Sequence, residues 1–434
     1  MKNDELKKRD LDVLWHPCTQ MKDHEQLPLT PIKKADGVWL EDFEQNRYID
    51  AISSWWVNLF GHTNPYINSK IKEQLDTLEH VILAGFTHEQ VVRLSERLVK
   101  LTPDGLDKCF YSDNGSSAVE VALKMSFHAH KNDNKTKSLF VSLSNSYHGE
   151  TIGALSVGDV ELYKDTYEPL LLKTIQTPVP KDMSIEAARE SASSFEELCK
   201  AKSDEISAII VEPLVQGAGY MHMYHPEFLK LIRDICYRYD VHLIADEVMV
   251  GFGRTGTLFA CESANITPDF LVLSKGLTGG YLPLSVVLTS DEIYMKFYCD
   301  YNEYKAFLHS HSYTGNALAC AAANATLDIF ENENVIQKNK QTAKYMAKKL
   351  QKFTKLKNVA SIRQTGMICV VELKGYDASQ RVGVKIHAYG LKHGVLLRPL
   401  GHVLYFMPPY IIKEEEIDKM MDVAYEAIES LDTL

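Results

Sequence analysis

Two residues in this chain have types and surroundings that point to chemistry. Within residues 243–280, the apolar run Leu243-Ile244-Ala245 delivers Asp246 and Glu247, and a second run, Phe270-Leu271-Val272-Leu273, delivers Ser274 and Lys275. Gly276 and the pair Gly279-Gly280 follow. Short apolar runs bounded by Gly and Pro read as buried parallel strands. The carboxyl ends of such strands are where open α/β sheets hold ligands. Taken singly, Asp246 reads as a helix cap and Lys275 as a surface amine. A surface amine, however, needs neither an apolar strand before it nor a glycine directly after it. A lysine that can form a Schiff base and an acid that can keep a pyridine nitrogen protonated are the pair that pyridoxal phosphate requires.

Other stretches could serve the same chemistry. Lys108–Ser112 reads as a strand that runs through Asp113-Asn114-Gly115-Ser116-Ser117 into a helix, AVEVALKMSFHAHK. A helix N-terminus behind a Gly-Ser turn offers free N–H groups, the positive end of the dipole and hydroxyl donors to a phosphate. The same residues also suit a plain N-cap. Tyr147 and His148 stand at a strand end before Gly149, where an aromatic ring can stack on a planar ligand or simply fill a loop. Ile206–Val211 ends at Glu212-Pro213. Arg398 follows apolar Val395-Leu396-Leu397, where a guanidinium can clamp a carboxylate or sit on the surface. Trp55 and Trp56 precede Gly61 and Pro65; if the segment is extended, one packs inward and the other faces a pocket, and both in the core is the alternative. His309 and His311 lack an acid or cysteine at ligand spacing, so no metal site is expected there.

These groups must be positioned by a fold, and the chain is long enough to supply one. At 434 residues it is expected to form two domains. With 45% hydrophobic and 24% charged residues the composition is that of an ordinary globular protein. The net charge of −11 argues against a general nucleic-acid or anionic-membrane binder. The eight cysteines are scattered without a C-x-x-C pair, which suits free thiols in a reducing, cytoplasmic compartment. The charged N-terminal stretch has no apolar core of a secretory signal, and no apolar run approaches roughly 18 residues, so no membrane span is expected.

Strand and helix patterns alternate from about 108 to 290, the mark of a doubly wound α/β domain. Before it, residues 3–14 suit a short polar helix, 37–50 a hairpin, and 65–101 looks helical, with i, i+3, i+4 spacing in INSKIKEQLDTL and again in EQVVRLSERLVKL. After it, 331–352 reads as a charged helix, followed by strands and a last helix from the EEEIDKMM stretch.

At this point the motifs match a family. ADE (Ala245–Glu247), GFGRTG (Gly251–Gly256) and S-K-G (Ser274–Gly276) resemble the class III aminotransferases among the fold-type I pyridoxal-phosphate enzymes. The resemblance covers essentially the whole chain. WHP (Trp15–Pro17), SSWW (Ser53–Trp56), YHG (Tyr147–Gly149), EPLVQGAG (Glu212–Gly219), ACE (Ala260–Glu262), TGG (Thr278–Gly280), RPLG (Arg398–Gly401) and MPPYI (Met407–Ile411) are narrower. They resemble the branch that moves an amino group from S-adenosyl-L-methionine to 8-amino-7-oxononanoate in biotin synthesis, by a ping-pong mechanism.

The resemblance implies a large, mostly parallel sheet domain at 61–329. A smaller α+β domain would come from both chain ends, 1–60 and 330–434. It implies that Lys275 forms the Schiff base and shuttles the proton, that Asp246 pairs with the pyridinium nitrogen, and that Gly115 and Ser116 hold the phosphate. Tyr147 would stack on the ring and contact substrate, and Glu212 would support the cofactor pocket. Ser312, with His311 beside it, would reach the cofactor phosphate of the partner subunit in a homodimer. Trp55 would line the substrate pocket, and Arg398 would bind the substrate carboxylate.

The chain departs from the family at three places. Cys18 stands after WHP where an aromatic is usual, and a thiol cannot supply a phenol. Glu150 replaces the common Asp after YHG, keeping the charge and lengthening the reach. Ser310 stands where glycine is common, and it is placed with Cys18 among the substrate-binding positions. HSHSYTG and Gly280-Tyr281-Leu282-Pro283 resemble a branch in which lysine is the amino donor, whereas SSWW resembles the adenosylmethionine branch. Another ω-aminotransferase acting on a diamine or ornithine-like substrate, an aminomutase, and a cofactor-binding protein without turnover are the remaining alternatives.

Overall fold

The computed structural model describes residues 2–431; the outermost ends of the two terminal segments, Met1 and residues 432–434, lie outside them. The chain forms two compact units, one of Met1–Pro65 with Gln341–Leu434 and one of Tyr66–Lys340. The boundaries fall slightly later than the expected 60 and 329. At the second boundary the helix Ala317–Glu333 packs on the helix Glu89–Leu101 and stays with the larger unit.

The larger unit is built on a seven-stranded sheet in the order Lys108–Ser112, Ser285–Thr289, Phe270–Leu273, His242–Asp246, Ile206–Val211, Leu139–Leu143, Thr174–Thr177. Ser285–Thr289 runs antiparallel to both neighbours, and the remaining pairs are parallel. The central strands are buried along their whole length, which is why they read as unbroken apolar runs rather than alternating ones. The helix Gly115–Asn132 lays Ala118, Val119, Ala122 and Met125 against Ala208, Ile210, Ile244, Phe270 and Val272. These strand residues lie two apart, so they share one face of the pleat. The helices Ile185–Lys202 and Glu227–Tyr239 pack on each other, and the second also packs on strand His242–Asp246.

Register decides what reaches the rim. Ala245 pairs with Val211, and Asp246 with Val272. Glu212, Asp246 and Ser274-Lys275 therefore leave adjacent parallel strands at the same edge. The stretch 65–101, read as helical from two periodic segments, is two helices, Pro65–Leu75 and Glu89–Leu101, with non-helical chain between them. Gly85, at φ +91°, breaks the pattern between them, and His88 caps the second helix by accepting the N–H of Val91 at 3.2 Å. The helical spacing lies in the two stretches INSKIKEQLDTL and EQVVRLSERLVKL, and the run between them contains a glycine whose backbone takes a conformation that a helix does not supply.

The smaller unit joins both chain ends by hydrogen bonds. The hairpin strands Trp39–Asp42 and Arg47–Asp50 are flanked by Ile32–Asp36 on one side, and on the other Val395–Leu396 pairs in parallel with Ile49 and Asp50. A three-stranded antiparallel sheet, Val359–Thr365, Ile368–Leu373 and Val403–Phe406, and the packed helices Val382–Lys392 and Glu414–Glu429 complete it. The helix Asn3–Leu11 is tied down where the Asn3 amide donates to Asp42 Oδ2 at 2.9 Å.

Candidate active site

At the rim of the large sheet the ionisable groups are held by specific bonds. Asp246, nearly inaccessible, lies 2.7 Å from His148 Nδ1 through Oδ2, and its Oδ1 accepts the Val248 N–H at 3.0 Å. His148 Nε2 is buried without a partner of its own, so Nδ1 is the nitrogen committed to the carboxylate. Glu212 accepts the N–H of Tyr147 at 3.0 Å and of Gly217 at 2.9 Å. Its burial nevertheless pushes its pKa up to about 7, with nearby Asp246 adding to the rise. Lys275 is half-buried; desolvation lowers its amine to about 8, against the opposing pull of Asp246 and Glu212. A lysine poised there is partly neutral near neutral pH, the state that both a nucleophile and a base need. Its φ of 45° is in the left-handed region, uncommon for a residue with a side chain.

The strand–turn–helix signal is realised as a capped helix N-terminus with Ser116 beside it. Asn114 accepts the Ser117 N–H at 2.9 Å and so occupies the N-cap. Ser116 Oγ accepts the Glu150 N–H at 2.8 Å, which directs the hydroxyl proton to another acceptor. Gly149, at φ +123°, crosses so close that a Cβ would lie 1.7 Å from Ser116 Oγ. A Cβ on Gly115 would lie 2.9 Å from Val248, the residue whose N–H holds Asp246. Val248 thus links the helix N-terminus to the acid. A helix N-terminus, a buried carboxylate and a half-buried amine are gathered in one group, and this fits pyridoxal phosphate: Gly115 and Ser116 could hold the phosphate, Asp246 the ring nitrogen and Lys275 the aldehyde.

The remaining expected residues of this unit lie as follows. Tyr147, half-buried, donates its hydroxyl to Glu150 Oε1 at 2.9 Å, and its ring meets Tyr163 edge-on. The longer Glu150 thereby reaches the tyrosine it follows. His311 lies 3.1 Å from Asp113, next to the cap Asn114, while exposed Ser312 offers its carbonyl to His80 at 2.8 Å. Ser310 is exposed.

In the smaller unit, Arg398, Trp55 and Cys18 come together. The guanidinium of Arg398 stands 4.9 Å from the Trp55 ring centroid, and Nη2 lies 3.5 Å from the Cys18 carbonyl oxygen. Cys18 enters this group through its backbone, so Arg398 does not read the thiol. Trp56 is buried, with its indole N–H donated to Tyr405 at 3.0 Å, whereas Trp55 is 39% exposed. The two tryptophans do part company, but not on an extended strand: Ser53–Trp56 is a turn with positive φ at every residue. Each such residue costs roughly 1–2 kcal/mol.

Three contributors were missed as such from sequence. His148 was noted only beside Tyr147, although a buried Asp246 demands a partner. Glu247, pushed up to about 7 by burial, accepts the N–H groups of Ala260 at 2.6 Å and Cys261 at 2.8 Å, tying the ADE motif to the ACE motif. Arg254 of GFGRTG is almost completely buried within range of Lys275. An arginine between glycines in an otherwise apolar stretch was the available signal.

Comparison with known proteins points the same way. The family described as Aminotransferase class-III matches residues 20–428. A protein of Helicobacter pylori named adenosylmethionine-8-amino-7-oxononanoate aminotransferase is 55% identical over 97% of each chain. One of the same name from Geobacter sulfurreducens is 42% identical over 98% of each. Among solved structures, the Methanocaldococcus jannaschii protein of that name superposes with a TM-score of 0.95 at 37% identity, covering 99% of both chains. An omega transaminase from Pseudomonas jessenii, solved in complex with PMP, gives 0.93 at 26% identity, covering 99% of this chain and 98% of that one.

Proposed function

The chain belongs to the class III aminotransferases, pyridoxal-phosphate-dependent enzymes, and from that premise we propose that it transfers an amino group from S-adenosyl-L-methionine to 8-amino-7-oxononanoate, giving 7,8-diaminononanoate for biotin synthesis. The observation that carries this reading is near end-to-end identity of 55% and 42% with relatives bearing that reaction in their names. The cofactor, when bound, supplies the electron sink that lets an amino group pass from donor to acceptor.

The chain's own residues divide the remaining work. Lys275, lowered to about 8, takes a proton from the donor carbon and returns one in the second half-reaction. Asp246, fixed by His148 and Val248, keeps its carboxylate on the ring nitrogen. The N-terminus of Gly115–Asn132 and the Ser116 hydroxyl bind phosphate. Tyr147, held by Glu150, covers the ring, and Glu212 fixes the Tyr147 backbone. Arg398 on Trp55 receives the acceptor's carboxylate.

The reading extends to a homodimer in which His311 and Ser312 serve the partner subunit's phosphate, and to a cytoplasmic location. Tyr301 and Leu308, each 89% exposed, are large apolar side chains that a subunit contact would cover. All eight cysteines are unbridged, as a reducing compartment requires. No helix among the described residues is long and apolar enough to cross a membrane.

The test is to supply adenosylmethionine, lysine and glutamate separately to the holoenzyme, following the visible absorbance of the lysine-bound cofactor. 8-Amino-7-oxononanoate is then added and the product identified by mass spectrometry. Adenosylmethionine should bleach the absorbance and 7,8-diaminononanoate should form. Bleaching by lysine alone changes the donor; absence of the diamine with every donor removes the reading.

A further inference from the structure

The turn Ser53–Trp56 has φ of 52°, 47°, 74° and 73° at its four successive residues. With ψ of 50° at Ser54 and 47° at Trp55, it is a turn of left-handed helix. None of the four is a glycine or asparagine, the residues that accept this conformation readily, so the surroundings must impose it. The group that does so is Asp50, completely buried at the end of strand Arg47–Asp50. Its Oδ1 accepts the N–H of Ser54 at 2.9 Å and of Ile52 at 3.3 Å. Its Oδ2 accepts the Ser54 hydroxyl at 2.7 Å and lies 3.0 Å from His62 Nε2. His62 is in turn held by the Asn58 amide, 3.2 Å from Nδ1. At the far side, Ser53 Oγ donates to the Met407 carbonyl at 2.7 Å.

Four donors thus converge on one carboxylate beneath a strained turn, and Trp55 is at its exposed corner. An extended path would carry this side chain elsewhere, because side-chain direction follows backbone conformation. Arg398 would then lose the flat surface that restrains its planar fork.

We propose that Asp50 is a positioning residue for substrate recognition: together with His62 it imposes the left-handed turn that sets Trp55 under Arg398, and so aims the guanidinium at the substrate carboxylate. The inference rests on the reading of Arg398 and Trp55 as the carboxylate seat. Asp50 touches neither substrate nor cofactor in this scheme; it acts through the turn.

The experiment compares Asp50→Asn, the double variant Asp50→Asn/Ser54→Gly, His62→Phe and Arg398→Ala as full-length holoenzymes. The readouts are kcat and KM for 8-amino-7-oxononanoate and the inhibition constant of nonanoate, a bare carboxylate probe. Asp50→Asn should raise KM and the nonanoate constant about tenfold, lower kcat far less, and leave the visible cofactor absorbance as in the parent. The double variant should recover part of the loss, since glycine takes positive φ without a Cβ penalty. If Asp50→Asn does not fold, His62→Phe, which keeps a ring but removes one of the four donors, is read in the same way. Parent-like constants for the Asp50 or His62 variant, alongside raised ones for Arg398→Ala, overturn the positioning role and leave the carboxylate seat standing. Parent-like constants for Arg398→Ala overturn both. A fall in kcat at unchanged KM also overturns the inference.

Discussion

Arg398 lies over Trp55, its guanidinium carbon 4.9 Å from the ring centroid. A cation held against an aromatic face keeps its in-plane N–H donors directed outward, ready for a planar carboxylate. On the proposed reading, the pair acts as one recognition element. Replacing Arg398 by Lys keeps the charge but not the fork or the stack. Its KM for the carboxylate-bearing substrate should rise about 10- to 100-fold, the worth of a charge-assisted hydrogen bond. An amino donor offered without a carboxylate should be affected far less, and steady-state kinetics with the two donor types separates the cases.

Lys275 should govern a rise in cofactor capture with pH. Burial lowers its amine to about 8, and the neutral form is the nucleophile. The neutral fraction grows as pH rises through about 8, so covalent uptake of pyridoxal phosphate by apoenzyme should accelerate from pH 7 to 9 and then level off. Stopped-flow absorbance measures this directly. Lys275→Ala should bind the cofactor without developing the lysine-bound absorbance, and turnover should be lost.

Gly149 runs close against Ser116, a residue of the proposed phosphate cradle. A Cβ there would lie 1.7 Å from Ser116 Oγ and 3.0 Å from Ser116 Cα, at a φ of +123° that side-chain-bearing residues avoid. Gly149→Ala must therefore displace Ser116 or its own turn. The dissociation constant for pyridoxal phosphate should rise by at least about tenfold, the cost of one lost hydrogen bond to a charged group. Equilibrium titration of apoenzyme provides the measurement.

Acid stability should depend on a pair of imidazoles remote from the rim. His130 and His242 stack at 4.0 Å between ring centroids, bonded to Ser207 and Ser126 respectively. Desolvation pushes His130 down to about 4 and His242 well below its ordinary value, and the amines of Lys137 and, for His242, Lys296 add to the lowering, while Asp240 opposes it. The unfolded chain thus binds protons that the folded one refuses. Stability should be fully present above about pH 6.5 and fall as pH drops toward 4, by up to about 3 kcal/mol for His130 alone. Urea unfolding at pH 7 and pH 5 reads the loss, and His242→Phe should shrink it.

Much of the cofactor site was legible because its residues sit at the ends of local patterns. Apolar runs announced the strands, and the residues at or just past their ends, Glu212, Asp246 and Lys275, are carried to one rim by any parallel sheet with those strands adjacent. Asn114-Gly115-Ser116 announced a helix start for the same reason. The extent of the break around Gly85 was not legible, since the helical spacing on either side of it does not say where each helix ends. His148 could be located but not assigned, because its partner is 98 residues away.

By itself, the sequence determined the class of chemistry: which residues end the strands, which turn opens the helix Gly115–Asn132, and which side chains are capable of forming a Schiff base or pairing with a pyridine nitrogen. Those are properties of neighbours in the chain, set by periodicity and turn chemistry. The tertiary structure alone decided the pairings that tune them: His148 on Asp246, Val248 against Gly115, Ser116 under Gly149, and Asp50 beneath a left-handed turn that local propensity would never favour. Such pairings depend on desolvation and on packing between distant segments, and a single chain read in order carries neither.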